Sequence, residues 1–154
     1  MLAAWPGVSN VALDVAAYLR EKLGAKEFAE IEPTDFFTPV GIQVQNNVVQ
    51  VPVFPENKFY LIKTPKGKSD IIIFYGEAQP DQNQYDLAHV ILDAAEKFKV
   101  KRIYTWAAAL VQHSVEKSRV LAAATDDKLI TELKKYDVTL AGNFQIRGLN
   151  GLLL

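Results

Sequence analysis

The chain has 154 residues, a length that fits one domain able to bury a core without disulfide staples. A formal charge of −1 at pH 7 excludes the basic field that a general nucleic-acid binder, or a protein held on anionic lipid, requires. The absence of cysteine excludes disulfides, thiolate nucleophiles and Cys-based zinc sites together.

Leu2 to Trp5 reads as a short buried strand, and Pro6-Gly7 forces a turn after it. Asn10 is the expected N-cap of a helix running to about Leu23, with Val11, Val15, Tyr18, Leu19 and Leu23 at helical spacing and Gly24 as its stop. Phe28 to Ile31 reads as a second strand, and Pro33 and Pro39 bracket an irregular link. From Gly41 to Pro52, Ile42 and Val44 alternate with Gln43 and Gln45, and Val49 and Val51 flank Gln50. Asn46-Asn47 between these runs tolerates positive φ, so the pattern predicts a β-hairpin with one wet face. Phe59 to Lys63 is a further strand, followed by the turn Pro65-Lys66-Gly67-Lys68.

Ile71 to Tyr75 is an unbroken apolar run, the pattern of a central strand covered on both faces. After the loop from Glu77 to Asp81, Leu87, Ile91, Ala94, Ala95 and Phe98 give a helix from about Gln84 to Phe98 its apolar stripe. Lys101 to Trp106 reads as another buried strand, and a loop spans roughly Gln112 to Ser118. Thr125-Asp126 caps a helix through about Tyr136, and Val138 to Leu140 is a late strand. A new helix is expected at Gly148, just before the chain ends in three leucines. Three terminal leucines in water are unfavourable, so that end is expected to be covered by the domain or a partner, or to belong to a longer protein.

Buried strands alternating with amphipathic helices define an α/β fold. The expected architecture is one domain over 1–154, with a mostly parallel sheet between helical layers and an added β-hairpin. The N-terminus has no basic region followed by an unbroken apolar core, and no stretch reaches the ~20 apolar residues of a membrane span. No signal peptide and no membrane partner are expected, and the expected location is the cytoplasm.

In open α/β sheets ligands bind beyond the carboxyl ends of the strands. That rule brings Asn10, Glu77, Gln79, His113, Ser114 and Asp126 towards one edge. Trp5-Pro6-Gly7-Val8-Ser9-Asn10 has half of a phosphate-binding turn, with one glycine where a dinucleotide site wants three; a tight turn with an N-cap explains it better. Glu77 ends the most apolar strand. Burial there would suit a general acid or base, but with no second carboxylate nearby in sequence it reads better as an acceptor for loop N–H groups or a bridge to another subunit. His113 sits beside Ser114, yet adjacent side chains do not make a nucleophile–base pair, and no Gly-x-Ser-x-Gly elbow occurs. His89 lies three residues after Asp86 and four before Asp93, the spacing of a solvated helix surface. Phe36, Phe37 and Phe54, with Trp5, read as core, with a partner-facing aromatic patch as the functional alternative. No complete catalytic constellation emerges, and neither a cofactor nor a metal is implied. A binding or assembly module therefore ranks ahead of an enzyme. The alternative is a protein acting on a nucleoside- or carboxylate-like ligand, with Glu77 as base and Asn10 at the ligand. The candidate contact residues are Trp5, Gly7, Asn10, Glu77, Gln79 and His113.

Several segments in order, covering nearly the whole chain, resemble the proteasome assembly chaperone 2 family. They are Ala4 to Ala12 (AWPGVSNVA), Phe28 to Ile31, Ile71 to Pro80 (IIIFYGEAQP), Val100 to Thr105, Ala123 to Asp126, and Gly148 to Leu153 (GLNGLL). The resemblance implies a three-layer α/β/α sandwich similar to the nucleoside phosphorylase/hydrolase fold. It also implies homo-oligomers and proteasome α-subunits as partners. Family members continue beyond the GLNGLL stretch, and proteasome-binding relatives end in a hydrophobic–Tyr–any-residue tail. A chain ending Leu152-Leu153-Leu154 is thus expected to be shortened at its C-terminus and to lack tail-mediated docking.

Overall fold

A computed structural model describes residues 1–39, 41–65, 68–110 and 119–154. Its centre is a five-stranded sheet of β1 (Leu2–Ala4), β2 (Lys26–Glu30), β5 (Asn57–Ile62), β6 (Ile71–Gly76) and β7 (Tyr104–Thr105), in the order β2-β5-β6-β1-β7. β1 pairs parallel with β6 and with β7; β5 runs against β6, and β2 against β5. Four strands therefore share one direction and β5 alone is reversed, so the sheet is mostly parallel. The unbroken apolar run of β6 takes the middle place, where helices cover both faces.

Strand alternation divides the core in two. One face presents Ala3, Trp5, Phe59, Ile72 and Phe74 to Leu87, Ala88 and Ile91 of helix α2 (Gln84–Lys97), with Phe36, Phe37, Leu149 and Leu153 closing the layer. The opposite face presents Ala4, Tyr60, Ile62 and Ile73 to helix α1 (Val11–Lys22). The result is the expected α/β/α layering. α1 departs from its expected stripe. Ala12, Leu13 and Ala16 are buried, whereas Val11, Tyr18 and Leu23 are exposed. Small side chains let the helix lie close to the sheet, and close approach outweighs side-chain hydropathy here. The expected strand Lys101–Trp106 narrows to Tyr104–Thr105, since Tyr104 sits on an outer strand with only β1 beside it.

Asn10 stands at the start of α1 as expected, but not as an ordinary N-cap. Asn10 is left-handed (φ 52°) and makes no side-chain capping bond; Ser9 before it is also left-handed (φ 53°). Asn83 starts α2 in the same conformation (φ 53°), which asparagine tolerates better than most residues. Asp126 behaves as expected: it accepts from Lys128 N (2.8 Å) and Leu129 N (2.9 Å) at the head of α3 (Asp127–Leu133). α3 connects β8 (Leu121–Ala122) and β9 (Thr139–Leu140), a parallel pair outside the main sheet. The chain closes with the short helix α4 (Leu149–Leu152); Leu149 and Leu153 enter the core, while Leu154 is exposed.

The hairpin forms where expected, as β3 (Val44–Gln45) and β4 (Val48–Val49) around left-handed Asn46 and Asn47. The expectation of one wet face does not hold. Ile42, Val44, Val48, Val49 and Val51 are all more than half exposed, so both faces are open. A two-stranded ribbon standing off the domain offers no helix to cover it.

Candidate functional site

The carboxyl ends of β1, β6 and β7 lie side by side, and the head of α4 folds over them. Gln79 joins these pieces. Its Nε2 donates to Pro6 O (2.8 Å), and its Oε1 accepts from Leu149 N (3.1 Å). Thr105 Oγ1 donates to Asn150 O (2.8 Å), and Asn150 Nδ2 reaches Trp5 O (3.4 Å). Gly148 makes the turn with φ 68°, and a Cβ there would stand 2.8 Å from Gln79 Oε1. Glycine is required both for the left-handed backbone and for the closeness of the carboxamide.

Beneath this clasp, Trp5 is fully buried against Phe74 (ring centroids 5.0 Å apart). The stack continues from Phe74 to Phe59 (4.9 Å), Phe28 (6.1 Å) and Phe98 (5.3 Å). Gly76 lets the indole in, since a Cβ at 76 would overlap Trp5 Nε1. Among the described residues, Trp5 Nε1, both amide atoms of Asn57 and Asn150 Oδ1 are buried without a hydrogen-bond partner.

The six candidate contact residues thus part company. Trp5 and Gln79 are brought together by the clasp, one as its floor and the other as its junction. Gly7 is exposed at the same edge, and a Cβ there would make ordinary contact with Asn150 Nδ2 (3.7 Å). Asn10 is exposed at the start of α1. Glu77 is exposed, so the burial that would have suited an acid or base is absent. Its Oε2 accepts from Glu56 N (3.0 Å), and its own N–H donates to Glu56 O (2.9 Å). His113, with Ser114, lies outside the described residues. His89 is exposed on α2. Phe36, Phe37 and Trp5 are in the core, which excludes them from a surface aromatic patch. Asn57, Asn150, Thr105 and Gly148 were not singled out individually from sequence. Only the odd Gly148–Gly151 stretch hinted that the chain end matters.

Of two surface concavities, one reaches the clasp at Gln79 and the other lies apart from it. One, of 220 Å³, runs between the base of the hairpin and the loop after β6, lined by Phe37, Val53, Phe54, Ala78, Gln79 and Asp81 among others. The other, of 670 Å³, lies between the end of α1 and β5 and includes Arg20, Glu21, Glu56 and Tyr60. The Arg20 guanidinium sits 4.8 Å from the Tyr60 ring centre and 5.1 Å from that of Tyr75. Lys58 nearby bridges Glu56 (2.8 Å) and Glu27 (3.4 Å); its hydrogen bond to Glu56 foremost raises its pKa. Neither concavity joins a nucleophile to a base. Among the described residues, no group of three His, Cys, Asp or Glu could hold a metal ion, and no helix is long and apolar enough to cross a membrane.

These features define a three-layer α/β/α domain whose strand-end polar groups fasten the domain to itself and leave a hairpin arm in solvent. The chain belongs to the PAC2 family, whose profile matches residues 1–154. It is similar to Pyrococcus furiosus PbaB, described as an archaeal proteasome activator: 29% identity, TM-score 0.78, covering 99% of this chain and 66% of that one. P. furiosus PbaA, an archaeal homolog of proteasome-assembly chaperone, aligns at 19% identity and TM-score 0.74, over 99% and 60% of the two chains. A PAC2 family protein from Streptomyces avermitilis shares the fold at 16% identity and TM-score 0.75, over 99% and 67%. The chain thus spans about two thirds of the length of these relatives or less. No curated protein sequence matches it.

Proposed function

We propose that this chain is a non-enzymatic, cytoplasmic protein-binding module that assists proteasome assembly, with proteasome α-subunits as partners and self-association as part of its action. The observation that carries this reading is the whole-chain PAC2 match together with the likeness to PbaB. The clasp supports it further. Both polar ends of the Gln79 carboxamide bond to the chain itself, which commits that side chain to fastening the strand-end loop to the head of α4. Exposed Glu77, Asn10 and Gly7 then act as surface features of the strand-end loops, not as reacting groups.

The test is direct titration of purified proteasome α-subunits from the same host with the tagged chain, read by co-elution and light scattering. A complex of defined stoichiometry supports the role. No complex across the micromolar range, together with stabilisation by a nucleoside or carboxylate metabolite in thermal denaturation, would instead favour a small-molecule binder.

A further inference from the structure

The hairpin arm carries a surface that the clasp and core do not explain. Val44 faces Val49 and Gln45 faces Val48 across the ladder, and Gln50 N donates to Gln43 O (2.8 Å). The same register sets Ile42 opposite Val51. Opposed residues of an antiparallel pair share a face, and faces alternate along each strand. One face of the arm is therefore Ile42, Val44, Val49 and Val51; the other is Gln43, Gln45, Gln50 and Val48. The aliphatic face is exposed at 61%, 63%, 61% and 84% in that order.

The arm is held at its root. Phe36 and Phe37 are buried, Phe54 packs against the same core, and Phe36 O accepts from Asp81 N (3.1 Å). Thr38 N donates to Asp81 Oδ2 (3.3 Å), and Asn83 Nδ2 to Asp35 O (2.9 Å). Val53, exposed at 93%, carries the aliphatic surface from Val51 into the 220 Å³ cleft at the root. A lone two-stranded ribbon is marginal in water, and a continuous apolar face on a soluble domain marks an interaction site.

Charge narrows the occupant to an uncharged apolar surface. Between Asp35 and Glu56 the sequence has no charged residue. Exposed Val90 and Leu92 on α2, by contrast, are interleaved with Asp86, Asp93 and Glu96, and exposed Tyr18 on α1 with Arg20, Glu21 and Lys22. Stacking identical charged faces costs like-charge repulsion; this arm can meet its own copy without that cost. A two-fold contact needs a self-complementary patch, and a flat face of β-branched side chains is one. A nucleic acid or an anionic lipid surface would find no cation on the arm, and a charged peptide no counter-charge.

We propose that the aliphatic face Ile42, Val44, Val49 and Val51 packs against the same face of a second copy of this chain, as two small sheets stacked face to face, with Val53 and the root cleft widening the contact. A stable pair needs about 800 Å² from each partner, more than a four-residue face supplies, so the widening at the root is part of the proposal. This inference rests on the self-association included in the proposed function, and it can fail without α-subunit binding failing.

The experiment measures solution mass by light scattering for the whole chain, beside far-ultraviolet circular dichroism. The wild type is expected to be oligomeric at tens of micromolar. Val44→Lys with Val49→Lys should at least halve the mass with an unchanged spectrum, and Gln43→Lys with Gln50→Lys should leave the mass intact. Because the chain has no cysteine, single introduced thiols report cleanly. Val49→Cys should be joined to a second copy by a short bis-maleimide, and Gln45→Cys should not. A monomeric wild type overturns the proposal, as does an oligomer that survives the double lysine variant or a Val49→Cys thiol that joins α-subunits in preference to its own copy. If the lysine variant fails to fold, the cysteine pair decides alone. The α-subunit titration, run on the same samples, separates loss of the arm contact from loss of the assembly role.

Discussion

Strand β6 and the hairpin arm use the same kind of residue and meet opposite fates. β6 has Ile71, Ile72 and Ile73 in a row, with Ile73 and Phe74 fully buried. The arm has Ile42, Val44, Val49 and Val51, all solvent-exposed. The difference lies in what surrounds them. β6 has strands on both edges and helices on both faces, whereas β3 and β4 have only each other. β-branched composition makes a strand; neighbours decide whether that strand becomes core. Apolar side chains without intramolecular neighbours are therefore the place to look for intermolecular ones.

The largest effect should come from the floor of the clasp. Trp5→Ala removes a fully buried indole from the stack with Phe74 and should cost about 3–5 kcal/mol, read by chemical denaturation. The comparison itself is tested by a matched pair. Ile73→Ala in β6 should cost about 2–5 kcal/mol, while Val49→Ala in the arm should stay within about 0.5 kcal/mol when measured at submicromolar concentration. Equal losses would mean that the arm is as tightly supported as the core. Gln79→Ala comes next. It leaves the part-buried ends of the clasp, Pro6 O and Leu149 N, without their partner, for about 1–3 kcal/mol. Faster hydrogen exchange at Leu149 and Asn150 should accompany that loss, and its absence would show that α4 is held by Leu149 and Leu153 alone.

Much of this was legible in the chain. Unbroken Ile71–Tyr75 announced a central strand, Asn46-Asn47 announced a hairpin, and Asp126 announced a helix cap, because each depends on local chemistry. Three things were not legible. The α1 stripe departs from the hydropathy pattern because Ala12 and Ala16 are buried for their small size, which hydropathy does not measure. The left-handed start at Asn10 was hidden because asparagine suits both an ordinary cap and positive φ. The clasp was only half visible. Gln79 stood out by its place after a buried strand, but its partners Pro6 and Leu149 lie 73 and 70 residues away. Nothing local in the sequence pairs such distant groups.

The smallest effect belongs to the other segment outside the main sheet. α3 is tied across to the residues before β7 by Arg102, which meets Glu132 at 2.7 Å. That hydrogen-bonded contact, ahead of the general attraction of the charges, lowers the Glu132 pKa and raises that of Arg102. A depressed folded-state carboxylate pKa means stability that is present above the unfolded value and lost as pH falls through the folded one. Glu132→Gln should therefore melt slightly below wild type at neutral pH, and the gap should close at acid pH, where the wild-type carboxylate takes up its proton. Both side chains remain over 40% exposed, so solvent screening keeps the effect small, and added salt should shrink it further. A gap that persisted at acid pH would point to hydrogen bonding by the neutral carboxyl that the amide does not reproduce, since glutamine keeps the glutamate stem.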